Sequence, residues 1–243
     1  MKPKPWKVTQ ILYAPWTWGV FIPYLLGSTV FWGSVALLLA VVSHRIAFHC
    51  GTIWAWCLCR VNWTTVEITG KEHASRGQVY VIMMNHQSHF DILAFYGHWG
   101  RQFRWVMKRE LRNVPFLGWA NAAMGNIFID RSNREKAIAS LREAGPLFDQ
   151  GISVMIFPEG TRSGDGPVGP FKKGGFMMAL NTGLPILPVS IRGTRSILPR
   201  KTKRLTPGRV QITVHRPIET AGLTADDRND LMFRVRAALE SAL

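Results

Sequence analysis

Two short segments hold most of the chemistry open to this chain: Asn85-His86-Gln87-Ser88-His89-Phe90-Asp91, and Phe157-Pro158-Glu159-Gly160-Thr161-Arg162-Ser163. The first places a carboxylate five residues after a histidine. If a helix starts near Ser88, that spacing returns Asp91 beneath the imidazole, where it can hold Nδ1–H and leave Nε2 free to accept a proton. The second segment is a glycine-containing turn that ends in an arginine, which is a cradle for an anion. Together they suit activation of an alcohol beside a bound phosphate. A plainer reading leaves His86 as one of seven histidines and Asp91 as a first-turn carboxylate favoured by the helix dipole.

Such residues need elements to hold them. Residues 79–84, Val-Tyr-Val-Ile-Met-Met, form an apolar run of strand length that suits burial on both faces, and His86 falls at its exit. Further strands are predicted at 66–69, 104–107, 126–129, 153–157, 186–191 and 210–214. Ser132 and Glu135 form a capping box for a helix running towards Gly151, with Ile138, Leu141, Ala144 and Phe148 on one face. A helix is expected from Lys172-Lys173-Gly174 to Asn181, and a last one from Thr224 and Asp227, with Leu231, Val235, Ala238 and Leu239 facing the core. Alternating strands and helices predict an α/β fold, a sheet flanked by helices on both faces with its polar residues on strand-exit loops.

Two more segments follow the same logic: Gly125-Asn126-Ile127-Phe128-Ile129-Asp130-Arg131 and Leu184-Pro185-Ile186-Leu187-Pro188-Val189. With these four blocks in order the chain resembles the glycerolipid acyltransferases, in particular the bacterial 1-acylglycerol-3-phosphate (lysophosphatidate) acyltransferase family, over about residues 79–190. The resemblance implies a mixed sheet flanked by helices. It also implies that His86 is the general base, oriented by Asp91, that deprotonates the sn-2 hydroxyl of lysophosphatidate as it attacks a thioester. Arg131 and Arg162 are then phosphate ligands, Gly160 and Thr161 contribute backbone N–H groups, and Glu159 positions the acceptor or the loop. Lys108 stands where family members commonly place a phosphate-binding lysine, although a solvated basic turn explains it as well. No cofactor is implied, since acyl-CoA or acyl-carrier protein serves as acyl-donor substrate. A covalent serine route lacks its elbow: Gly151-Ile152-Ser153-Val154-Met155 has no closing glycine. Direct attack is the expectation.

The first sixty residues differ from the rest. Residues 8–43 contain no charged side chain or histidine, while Lys2, Lys4 and Lys7 precede them and Arg45 and Arg60 follow. The stretch is too long and aromatic for a cleaved signal and suits a membrane contact. We therefore divide the chain into membrane-anchoring helices at 1–60, with a possible break near Gly27, and an α/β acyltransferase domain at 61–243. A helical hairpin entering one leaflet is favoured over a span, with the catalytic domain on the cytoplasmic face of the cell inner membrane, where the donor resides. Net charge is +15, and residues 192–209 hold seven Lys or Arg and no acid. Such a surface attracts anionic membrane lipids, CoA phosphates or an acidic carrier protein, or is simply a solvated basic face. Nucleic acid finds no zinc spacing, aromatic RNA-binding strand or recognition helix. Cys50, Cys57 and Cys59 fit small buried hydrophobes, and no metal-ligand cluster accompanies them. Two rival readings stand beside the first: acylation of another lysolipid such as a lyso-ornithine lipid, and a non-catalytic basic membrane-bound adaptor.

Overall fold

The computed structural model describes residues 8–130, 140, 145–163, 168–200 and 202–243. Arg131, Ser132, Glu135, Ile138, Leu141 and Ala144, named above, lie outside the described residues.

All seven predicted strands form: β1 (Thr64–Thr69), β2 (Val81–Met84), β3 (Phe103–Lys108), β4 (Ile127–Ile129), β5 (Ser153–Ile156), β6 (Ile186–Arg192) and β7 (Gly208–Val214). They make one sheet in the order β1-β7-β6-β2-β5-β3-β4. Strands β6, β2, β5, β3 and β4 run parallel, while β7 pairs antiparallel with β6 and carries β1 in its own direction. The parallel strands therefore end at a common edge, where the loops after β2, β5 and β6 touch one another. The most apolar strands are central: every residue of β2 and β5 is buried, as strands covered on both faces require.

Alternation along the strands divides the interior in two. Ile82, Met84, Phe103, Trp105 and Met155 face one core, shared with Phe48 and Leu58 of α3 (His44–Val61), Phe90 and Phe95 of α4 (Phe90–Trp99) and Ala120 of α5 (Leu117–Ala123). Val81, Met83, Val154 and Ile156 face the other. That core includes Phe148 of α6 (Gly145–Asp149), Phe176 and Met178 of α7 (Lys173–Thr182), and Leu231, Val235 and Leu239 of α9 (Arg228–Glu240). Pro188 fits inside β6 because its carbonyl already faces the β7 side, accepting from His215 N–H at 3.0 Å just beyond the end of β7. Its absent N–H would point to that same side, so the β2–β6 ladder loses no hydrogen bond.

The break expected near Gly27 does not form. Helix α1 (Val8–Trp16), a π-helical turn (Thr17–Phe21) and α2 (Ile22–Ala40) make one continuous helix, and the chain reverses at residues 41–43. One glycine costs a helix only about 1 kcal/mol, too little to end it. The reversal comes where Ser43 adopts an extended backbone and caps α3, its Oγ accepting from Arg45 N–H. Helix α3 then packs on α4, and its buried face belongs to the sheet's core. By contrast, Leu12, Leu26, Phe31 and Leu38 of the long helix are exposed. The helix is long and apolar enough to cross a membrane, by length and composition.

Candidate functional site

The site begins where β2 runs out. The Asn85 amide extends the β2–β6 ladder past its last pair, with Nδ2 donating to Ile191 O at 2.9 Å and Oδ1 accepting from Ile191 N–H at 2.8 Å. This buried side chain takes the place of a strand neighbour and releases the backbone to turn at His86.

Both backbone groups of His86 are then clamped by the second loop. Its N–H donates to Glu159 Oε1 at 2.8 Å, and its carbonyl accepts from Ser163 N–H at 2.7 Å and Ser163 Oγ at 3.1 Å. The ring stacks on Phe157 at 3.9 Å, and Phe157 stacks in turn on Trp105 at 5.7 Å. Asp91, fully buried in the first turn of α4, accepts at Oδ2 from His86 Nδ1 at 2.8 Å, Gln87 N–H at 2.7 Å and Ser88 N–H at 2.9 Å. A carboxylate accepts only, so it fixes the Nδ1–H tautomer and leaves the Nε2 lone pair outward. Nε2 has no partner among the described residues. His86 and Asp91 thus meet as their spacing predicted.

Glu159 is 3% exposed, and both its oxygens are engaged, Oε2 accepting from Gly169 N–H at 2.8 Å. Burial pushes its carboxyl above the usual carboxylate range against the lowering effect of the two amides. Of its two expected roles, holding the loop is the one this geometry fits, each oxygen accepting from a backbone amide. Gly160 also differs from expectation. Its N–H donates to Phe157 O at 3.0 Å, closing the turn, so the residue contributes its left-handed backbone (φ +70°) and not an amide for an anion. Thr161 is exposed beside it. Half-buried Arg162 points to the same edge, its pKa pushed down by burial and then by Arg200, with Asp91 acting the other way. Lys108 ends β3, two strands from β2, exposed and paired with Glu110 Oε1 at 2.9 Å.

Other contributors carry no local sign in the sequence. Arg236 of α9 donates to Val168 O at 2.7 Å and Gly169 O at 2.8 Å, supporting the backbone that holds Glu159. Ser88 Oγ is buried and donates to Leu198 O at 2.7 Å. The residues are 68, 67 and 110 positions apart, beyond the reach of any spacing rule. A separate apolar cavity of about 40 Å³ lies among helices and includes Trp32, Trp54, Tyr96 and Phe116, with no lining residue from the His86 loop. No cluster of three or more His, Cys, Asp or Glu suited to a metal occurs among the described residues.

Fold and site together define an α/β protein with a histidine–carboxylate pair and an arginine loop at the exit edge of a largely parallel sheet. The chain belongs to the Acyltransferase family, whose model it matches over residues 65–192. It is 32% identical over 218 residues to a 1-acyl-sn-glycerol-3-phosphate acyltransferase of Chlamydomonas reinhardtii, covering 87% of this chain and 64% of that protein. To the human 1-acyl-sn-glycerol-3-phosphate acyltransferase alpha it is 37% identical over 175 residues, covering 72% of this chain and 62% of the human one. The chain thus spans less than two thirds of these relatives' length. Among solved structures it resembles the 1-acyl-sn-glycerophosphate (LPA) acyltransferase PlsC of Thermotoga maritima, with a TM-score of 0.77 and 27% identity over 96% of this chain and 95% of that one.

Proposed function

We propose that this protein transfers an acyl chain from acyl-CoA or acyl-carrier protein to the sn-2 hydroxyl of 1-acylglycerol-3-phosphate, making phosphatidate for phospholipid synthesis. The observation that carries the reading is the 2.8 Å contact between His86 Nδ1 and a buried Asp91, with Nε2 unengaged at the sheet edge. Nε2 takes the hydroxyl proton as the oxygen attacks the thioester carbonyl, and Asp91 stabilises the imidazolium that forms. The tetrahedral intermediate collapses by breaking the C–S bond, and the thiolate takes the proton back from His86.

Direct attack is supported by the serines nearby. Ser88 Oγ is buried and donates to Leu198 O, while Ser163 Oγ donates to the His86 carbonyl. Neither contacts a base, as a serine nucleophile would require. Arg162 binds the acceptor phosphate, assisted by Lys108 at the end of β3 and by Arg131. No cofactor takes part.

The exposed apolar face of α1 and α2 anchors the chain to one leaflet of the inner membrane, with the sheet on the cytoplasmic face and basic residues towards anionic lipids. Purified protein supplied in turn with acyl-CoA and acyl-carrier protein, and with lysophosphatidate, lyso-ornithine lipid, glycerol-3-phosphate or no acceptor, tests the reading. Phosphatidate as the main product is expected. Free fatty acid without an acceptor, or preference for a phosphate-lacking acceptor, contradicts it.

A further inference from the structure

The loop after β6 brings more positive charge to His86 than one phosphate ligand explains. Past β6 the chain turns through Gly193 into the single helical turn α8 (Thr194–Ile197) and on to Arg200. Ser88 Oγ fixes this segment to the His86 loop through Leu198 O at 2.7 Å. Arg195 Nη2 donates to Ser163 Oγ at 3.4 Å, the hydroxyl that itself donates to the His86 carbonyl. Arg200 lies near enough to Arg162 to depress its pKa. None of Arg162, Arg195 and Arg200 forms an ion pair with an acid among the described residues. Asp91, whose charge acts on Arg162, is buried with its Oδ2 accepting three hydrogen bonds. Arg195 thus reaches the residue next to Arg162, and the charge of Arg200 opposes that of Arg162, so an anion held among these groups relieves the repulsion.

The same segment reaches the long apolar helix. Lys203 Nζ sits 5.9 Å over the ring of Trp18, which is half exposed. The segment's far end is tied down by Asn62 Nδ2 donating to Thr206 O at 2.9 Å and Thr206 N–H donating to Ile197 O at 3.0 Å. Lys203, Arg200 and Arg195 thus lead from the long apolar helix towards the histidine on the β6 side of His86, away from Lys108 at the end of β3. We infer that Arg195 and Arg200 form a phosphate subsite that draws the headgroup of a single-chain lipid phosphomonoester from the membrane plane and seats it with Arg162. This rests on the acyl-transfer reading for the identity of the lipid.

Arg195→Ala, Arg200→Ala and the double variant test it, with Arg→Lys partners to keep the charge and circular dichroism to confirm folding. The KM for lysophosphatidate should rise by about tenfold or more for each lost charge-assisted contact, more steeply at low salt, with the KM for acyl-CoA and acyl-carrier protein unchanged. The Lys variants should recover most of the loss. An unchanged lysophosphatidate KM, or a rise confined to the donor KM, overturns the subsite. Equilibrium binding of lysophosphatidate to His86→Ala protein separates the two readings. Binding weakened by the arginine substitutions upholds the subsite even if the wild type makes no phosphatidate, and binding indifferent to them refutes it.

Discussion

His86 is fixed in position by its backbone as well as by its side chain. Its N–H is held by Glu159, its carbonyl by Ser163 and its Nδ1 by Asp91, leaving one ring nitrogen to the solvent edge. Glu159→Gln is therefore expected to matter without touching substrate. A glutamine amide offers one acceptor where two buried N–H groups need one each, and its NH2 would face the other donor. Loss of a charged hydrogen bond worth about 1.5–3 kcal/mol should lower kcat by about tenfold or more, with the lysophosphatidate KM nearly unchanged. Steady-state kinetics on the folded variant check this, and a wild-type kcat would remove Glu159 from the account. His86, Asp91 and Arg162 were legible because five-residue spacing and a strand-exit turn are local signals. Asn85, Glu159 and Gly160 stood inside recognised blocks, but their partners come from other strands and loops, so their backbone-holding roles were not.

Elements show the same division between local and distant signals. Each strand was marked by a β-branched or aromatic run between turn residues, and each was found within two residues or so of its expected ends. The hairpin at residues 41–43 was less visible, because an uncharged stretch has no polar face to mark where one helix stops and the next packs. Helix α9 was legible in its apolar spacing but not in its attachments. One of these involves Ser190, whose Oγ–H donates to Leu239 O at 2.7 Å and whose oxygen accepts from His215 Nε2 at 2.8 Å. Burial, and then His73, lowers the His215 pKa. A histidine depressed in the folded state contributes stability above the ordinary value of about 6.5 and loses it as pH falls through the folded value. Melting temperature measured from pH 7.5 downwards should fall more steeply for the wild type than for His215→Gln, whose amide can still donate to Ser190. Parallel curves would show that this histidine does not govern the acid response.

Across the whole molecule, the exposed apolar helix and the His86 edge are different parts joined by one basic loop. The continuous helix from Val8 to Ala40 presents apolar side chains outward, α3 ties it to the sheet's core, and the basic loop after β6 joins it to the His86 edge. An excess of 30 basic over 15 acidic residues gives the molecule a long-range attraction for anionic surfaces that salt should weaken. The charge and the apolar run were both plain in the sequence, whereas their convergence on the site depended on topology. The central claim is that His86 activates the acceptor hydroxyl without a covalent intermediate. Phosphatidate formation by protein reconstituted in anionic vesicles, wild type beside His86→Ala, tests it most directly. We expect the variant to lose about 10²–10⁴-fold or more in kcat while lysophosphatidate binding is retained. Turnover within a few fold of wild type, or a rise in KM alone, would contradict the assignment.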